Sequence, residues 1–193
     1  MRELMAAVAV LTCSTLVTAA VATAAPPAPA LVLSVEDVRT IAGNADLNPG
    51  EQLDQPGGQH QYDGQYPAEC GAVLNQDVAF ASGFNEFRSV TYNGAASRSV
   101  TQAVAVYPDS SSARAALTAV GTALRACSEL GAPNMAVTTQ VLDQKTFALC
   151  QTQCATIYRA AGPVLIAVSA SRFGDSDRIA TAVLQQITNR VGE

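Results

Sequence analysis

Histidine, the side chain most often used for acid–base catalysis, occurs once in this sequence. His60 lies among glycines and glutamines, a setting that predicts an exposed, mobile side chain. A serine hydrolase needs a histidine next to its nucleophile, and the usual Gly-x-Ser-x-Gly motif is absent. No phosphate-binding glycine loop is present either. We therefore predict no catalytic residues and no enzyme, and a small secreted hydrolase of unrecognised type is the alternative.

Cysteines are the next residues whose spacing suggests chemistry: Cys70, Cys127, Cys150 and Cys154. An even number in an exported chain is typical of two disulfides. Cys150 and Cys154 stand between two predicted strands, so a three-residue hairpin loop brings them within disulfide reach. Cys70 then pairs with Cys127 by elimination. A single Cys-x-x-x-Cys and one histidine do not make a zinc site, so we expect no metal and no cofactor.

Six polar or aromatic residues are candidates for ligand contacts: Tyr62, Tyr66, Arg88, Gln102, Tyr107 and Tyr158. Gln102 shares an otherwise apolar strand face with Val100 and Val104. A buried amide needs a hydrogen-bond partner in the core or in a cleft, and we favour the core. Packing or edge positions are the more frequent roles of Arg88 and of the strand tyrosines.

The long polar segment from Asn44 to Gln65 is interpreted either as a lid at the edge of a cleft or as a mobile insertion. Tyr62 and Tyr66 lie at its far end, and tyrosine offers a large contact area with a polar tip. A ligand is therefore expected in a cleft between the sheet and this loop.

The elements that position these residues are clearest between Ser99 and Leu130. Alternating residues predict a strand over Ser99–Tyr107, and an apolar stripe at helical spacing predicts a helix over Asp109–Leu130. Further predicted elements are helices starting at Ser34, Pro67 and Asp175, and strands over Arg88–Tyr92, Val137–Leu142, Thr146–Cys150, Ala155–Ala160 and Val164–Ala170. The predicted fold is α+β, with an antiparallel sheet of about five or six strands, flanking helices and two disulfides.

The N-terminus has the pattern of an export signal. Residues 1–24 are mostly apolar and end in Ala22-Thr23-Ala24, which fits a cleavage site, and 25–30 form a proline-rich spacer. An uncleaved anchor, or a lipid on Cys13, is the alternative and would be the only route to a membrane. The domain itself spans 31–193, and we expect it outside the cytoplasm, secreted or in the cell envelope.

The acidic balance of the chain excludes one class of partner. Eleven basic and sixteen acidic residues give a formal net charge of −5, whereas nucleic-acid binding needs a basic patch. The expected partner is an unidentified small molecule or an envelope component, and the domain is expected to be a monomer. A protein-interaction module of the cell envelope is a further alternative.

Four motifs in order resemble the PknH-like extracellular sensor domain family: Leu31–Val38, Pro67–Cys70, Val100–Pro108 and the helix carrying Cys127. The resemblance covers about residues 31 to 190. The family is named after the outer domain of a mycobacterial Ser/Thr protein kinase and includes stand-alone secreted proteins and lipoproteins. The resemblance implies two disulfides, an antiparallel sheet with flanking helices, and a cleft for an unidentified ligand.

Overall fold

The structure is a computed structural model that describes residues 25–132, 135–151 and 154–192. The predicted signal peptide, including Cys13, lies outside the described residues. Within these residues, seven strands form one sheet: β1 Asn48–Leu53, β2 Glu86–Asn93, β3 Ser99–Val106, β4 Thr138–Asp143, β5 Thr146–Gln151, β6 Cys154–Ala161 and β7 Val164–Ser171. Their order is β1-β2-β3-β7-β6-β5-β4, and every neighbouring pair is antiparallel.

The α+β class is confirmed, and the strand count is one or two higher than predicted. The additional strand is β1, which lies within the segment interpreted as a loop and pairs with β2 at the sheet edge. Its sequence, Asn-Pro-Gly-Glu-Gln-Leu, is almost entirely exposed. An edge strand without a buried face has no apolar alternation, so periodicity does not reveal it.

In the part of the chain that the structure describes, six α-helices accompany the sheet: α1 Ala28–Leu31, α2 Val35–Ala42, α3 Gly71–Leu74, α4 Gln76–Phe80, α5 Ser110–Leu130 and α6 Ser176–Val191. Short 3-10 helices cover His60–Tyr62, Ala68–Cys70 and Ala95–Ser97. Among the helices of the described residues, none combines the length and the apolar character needed to span a bilayer.

The sheet buries both of its faces, one under each group of helices. On the first face, α1, α2 and α6 pack over a core that includes Val104, Ile166 and Val168. On the second face, α3, α4 and α5 pack over a core that includes Phe87 and Phe147. The molecule is therefore a three-layer sandwich of helices, sheet and helices.

Helix α5 shows how local sequence sets the second layer. The Asp109 carboxylate caps the helix by accepting a hydrogen bond of 2.8 Å from the backbone N–H of Ser112. Leu117, Val120, Leu124 and Cys127 then recur on its buried side. The strand–helix unit β3–α5 is the part of the fold that the sequence predicted most closely.

Gln102 has the structural role that the sequence favoured. Its side chain is fully buried, its Oε1 accepts from the Leu33 N–H at 2.8 Å, and its Nε2 donates to the Leu33 carbonyl at 3.0 Å. The Tyr92 hydroxyl donates to the same carbonyl at 2.7 Å. The amide thus holds the extended chain between α1 and α2 against the sheet.

The Cys70–Cys127 disulfide is present, with the two Cα atoms 4.7 Å apart and both residues fully buried. The predicted second disulfide is wrong, because Cys150 is a free cysteine. Cys150 stands opposite Ala155 and Cys154 stands opposite Gln151 across the hairpin. Only two residues connect the strands, so positions 150 and 154 do not pair directly across the hairpin. They occupy neighbouring register positions, which lie on opposite faces of the sheet.

We predict that replacing both Cys70 and Cys127 by serine lowers the free energy of unfolding by about 4 kcal/mol, because the bond closes a long loop in the unfolded chain. Urea unfolding without reductant measures this loss. The control is Cys150→Ser, which removes a thiol but no cross-link and should change the free energy by less than about 1 kcal/mol. If the double variant and Cys150→Ser lost the same free energy of unfolding, the Cys70–Cys127 disulfide would be contradicted.

Gln102→Leu is predicted to lower the free energy of unfolding by about 2 kcal/mol, because it leaves the buried Leu33 N–H without a partner. Gln186→Leu, an exposed position on α6, is the matched control and should stay within about 0.5 kcal/mol of the parent. Thermal unfolding of the three proteins side by side provides the comparison. A loss no larger than that of the control would show that the amide contributes nothing specific.

Candidate functional site

A cavity of about 370 Å³ opens between the loop before Pro67 and the short helices α3 and α4. Its apolar wall includes Tyr66, Leu74 and Val78, and its polar wall includes His60, Asp63 and Asn75. A smaller groove of about 140 Å³ lies elsewhere, between α5 and the β4–β5 hairpin. The larger cavity is the candidate functional site, because it combines apolar area with convergent polar groups.

Asn75 separates the two helices of the cavity wall. It has extended backbone angles (φ −120°, ψ 113°), so α3 ends and α4 begins there. Its Oδ1 accepts from the Gln59 N–H at 2.6 Å, and its Nδ2 donates to Oδ1 of Asp63 at 3.2 Å. This nearly buried amide therefore ties the loop wall to the helical wall.

His60 makes the second link between the walls. Its Nδ1 lies 2.8 Å from Oδ2 of Asp63, and its Nε2 lies 2.7 Å from Oδ2 of Asp77 in α4. Ionised carboxylates only accept hydrogen bonds, so both ring nitrogens donate to them when the imidazole is protonated. Hydrogen bonds to Asp63 and Asp77 accordingly raise the pKa of His60, and the bond to His60 lowers the pKa of Asp63.

The His60 side chain is half exposed, as expected for a loop residue, but its partners were not foreseen. Two carboxylates from different segments hold a ring that the sequence predicted to be mobile. The loop also depends on Gly58, since a Cβ there would lie only 2.6 Å from Nε2 of His60 and 2.9 Å from Oδ1 of Asn75. A glycine therefore lets the backbone approach the ion pairs closely.

The residues predicted to contact a ligand do not form one site. Tyr62 and Tyr66 both line the cavity, and Tyr62 is 39% exposed. The cavity lies between the loop and α3–α4, and not between the loop and the sheet as predicted. Asp63 and Asn75 were missed, because their role depends on contacts between separate segments.

Arg88, Tyr107 and Tyr158, also predicted as ligand contacts, lie elsewhere in the fold. Arg88 bonds to Asp54 at 2.7 Å and to the Gln52 side chain, which links β2 to the edge strand. The Tyr107 hydroxyl donates to the Phe80 carbonyl at 2.7 Å and so anchors the end of α4. Tyr158 is buried on the second sheet face, and burial raises the pKa of both of these tyrosines to about 12.

Metal binding has no support within the described part of the chain. Among those residues, no group of three or more histidine, cysteine, aspartate or glutamate side chains is placed to hold an ion.

We predict that His60 makes stability depend on pH near neutrality. A raised pKa means that the contribution is complete below the ordinary histidine value of 6.5 and is lost as pH rises through the folded value. At the acidic end it is lost as pH falls through the lowered pKa of Asp63, below its ordinary value of 3.8. Urea midpoints of the parent and of His60→Gln should therefore differ most between these limits.

The comparison is simple because the chain has a single histidine, and any terminal amine titrates equally in both proteins. The difference between the two midpoints should shrink as pH rises above neutrality. If the midpoints of the two proteins differed by the same amount at acidic and alkaline pH, the ion pairs of His60 with Asp63 and Asp77 would be contradicted.

Comparison with known proteins agrees with this fold. A family model described as the PknH-like extracellular domain matches residues 23–190. A similar solved structure is the crystal structure of the extracellular domain of PknH from Mycobacterium tuberculosis, with a TM-score of 0.67 and 19% sequence identity. That match covers 85% of this chain and 94% of the other, and at this identity it shows a shared fold. No curated protein matches the sequence.

The family match covers nearly all of the described chain. An extracellular domain family points to a location outside the cytoplasm, which is the location predicted from the sequence. On this match, the chain belongs to the family of PknH-like extracellular domains.

Proposed function

We propose that this protein is a non-catalytic, sensor-type domain that binds a small molecule in the cavity between the 57–67 loop and α3–α4. The observation that carries the proposal is the cavity itself, whose volume of about 370 Å³ lies within the usual range for small-molecule sites. Membership of an extracellular domain family supports a ligand from outside the cytoplasm.

The composition of the walls supports binding with a defined orientation. Leu74, Val78 and the rings of Tyr62 and Tyr66 offer apolar contact, while Asp63 stands at the polar end. Apolar area supplies most of the affinity of such a site, and a few polar groups fix the direction of the ligand. A ligand of this site therefore has an apolar body and one polar end.

The state of His60 favours binding over catalysis. A general base must have a free ring nitrogen to accept a proton, and both nitrogens of this ring already face carboxylates at 2.7–2.8 Å. It is also the only histidine of the chain. A hydrolase of the Ser-His type therefore gains no support from this geometry.

The two walls differ in how firmly they are held, which suits a site that opens to admit a ligand. The helical wall is tethered by the Cys70–Cys127 disulfide, whereas the loop wall is held by hydrogen bonds from buried Asn75 and half-exposed His60. Segments of low local stability are the ones that move on binding. We infer that the loop moves and that the helices stay in place.

The double change Tyr62→Ala, Tyr66→Ala is predicted to weaken binding of small neutral aromatic fragments by about tenfold, because it removes two ring contacts. Ligand-detected NMR of a fragment library measures this effect. Leu142→Ala, an exposed apolar position on β4 that does not line the cavity, is the matched control and should bind like the parent. Fragments that bind the double variant as well as the parent would rule out this cavity as their site.

A further inference from the structure

The charges around the cavity indicate which class of small molecule fits it. We propose that the cavity takes a small organic cation, a protonated amine or quaternary ammonium group on an apolar body, with the charged group beside Asp63. This inference rests on the proposed function, because it names the ligand class of the same site.

The charge balance at the polar end is negative. When protonated, His60 contributes one positive charge, and Asp63 and Asp77 contribute two negative charges, so the local sum is +1 − 2 = −1. None of the described residues that line the cavity is a lysine or an arginine. An entering anion therefore meets a net negative charge at the polar end, whereas an entering cation is attracted.

Asp63 has room for a further donor. Its Oδ1 receives one hydrogen bond from Asn75 at 3.2 Å, and its Oδ2 receives one from His60 at 2.8 Å. A carboxylate can accept about four hydrogen bonds, and more than half of this side chain is exposed. An ammonium group can therefore bind to the carboxylate without displacing either partner.

The aromatic wall favours the same charge. Tyr62 and Tyr66 line the cavity with Asp63, and the face of an aromatic ring attracts a cation. Leu74 and Val78 supply contact area for the apolar body on the helical side. Carboxylate, rings and aliphatic wall together match an amine on a hydrocarbon body better than an alcohol or an acid.

The protonation state of His60 changes the preference of the cavity for a cation. The charged groups within ion-pair distance of its ring are Asp63 from the loop and Asp77 from α4, and the neutral Asn75 and Gly58 pack beside them. Loss of the imidazolium proton changes the local sum from −1 to −2. Affinity for a cation should therefore rise as pH increases through the titration of His60, while affinity for a neutral ligand stays the same.

Three probes with one skeleton test the inference: phenethylammonium, phenethyl alcohol and phenylacetate. Dissociation constants are measured from amide chemical shifts of the purified protein. We expect phenethylammonium to bind about tenfold more tightly than the alcohol, and phenylacetate to bind most weakly. The affinity of phenethylammonium relative to that of phenethyl alcohol should increase with pH in the parent and not in His60→Gln.

Variants separate charge from shape. Asp63→Asn should bring the affinity for phenethylammonium down to that for the alcohol and leave the alcohol unchanged. Asp54→Asn, which removes an exposed, ion-paired aspartate that does not line the cavity, is the matched control and should keep the preference. His60→Gln should increase the ratio of cation to alcohol affinity by about threefold at acidic pH, because one repelling charge is gone.

The outcomes distinguish failure of the proposed ligand class from failure of the proposal that the cavity binds a small molecule. Equal binding of all three probes, a preference for phenylacetate, or a cation preference that survives in Asp63→Asn would overturn the ligand class and leave cavity binding intact. Failure of all three probes to shift the amides of the cavity wall would overturn the proposed function together with the inference.

Discussion

The disulfide between Cys70 and Cys127 connects the start of the cavity wall to α5, the longest helix of the fold. Helices α3 and α4 have four and five residues, too few to be stable alone. The disulfide fixes one end of this pair. At the other end, Phe80 packs edge-on against Phe87 with ring centroids 5.1 Å apart. A wall that is attached to the core at both ends keeps its shape although neither of its short helices would be stable alone.

The opposite wall is held by polar contacts instead. Asn75 and His60 bind the loop through hydrogen bonds, and the His60 ring is about half exposed to solvent. Exposed ion pairs contribute little to stability and respond to pH and salt. The cavity is therefore built from one rigid and one adjustable side, which is an arrangement suited to recognition of a ligand.

Parts of the fold with a strong local pattern were predictable from the sequence. The alternation in β3 and the apolar stripe of α5 correspond to buried faces, so both elements were placed within one or two residues. Strand β1 was missed because it buries neither face. The hairpin cysteines were misjudged because pairing depends on register, and a two-residue connection shifts position 154 to the other face.

The candidate site was only partly predictable from the sequence, because it depends on contacts between separate segments of the chain. The two loop tyrosines do line one cavity, since they lie four residues apart in a single segment. The link from His60 to Asp77 spans seventeen residues, and it forms because α4 folds back towards the loop. Gln102 was recognisable as a buried amide, but its partner Leu33 lies 69 residues away in a stretch without regular structure.

The position of a bound ligand tests the central claim most directly. Crystals of the protein soaked with phenethylamine would reveal where a small aromatic cation binds. The account predicts electron density in the cavity between Tyr66, Leu74 and Asn75, with the amine beside Asp63. Density only in the groove between α5 and the β4–β5 hairpin, with an empty cavity, would contradict it.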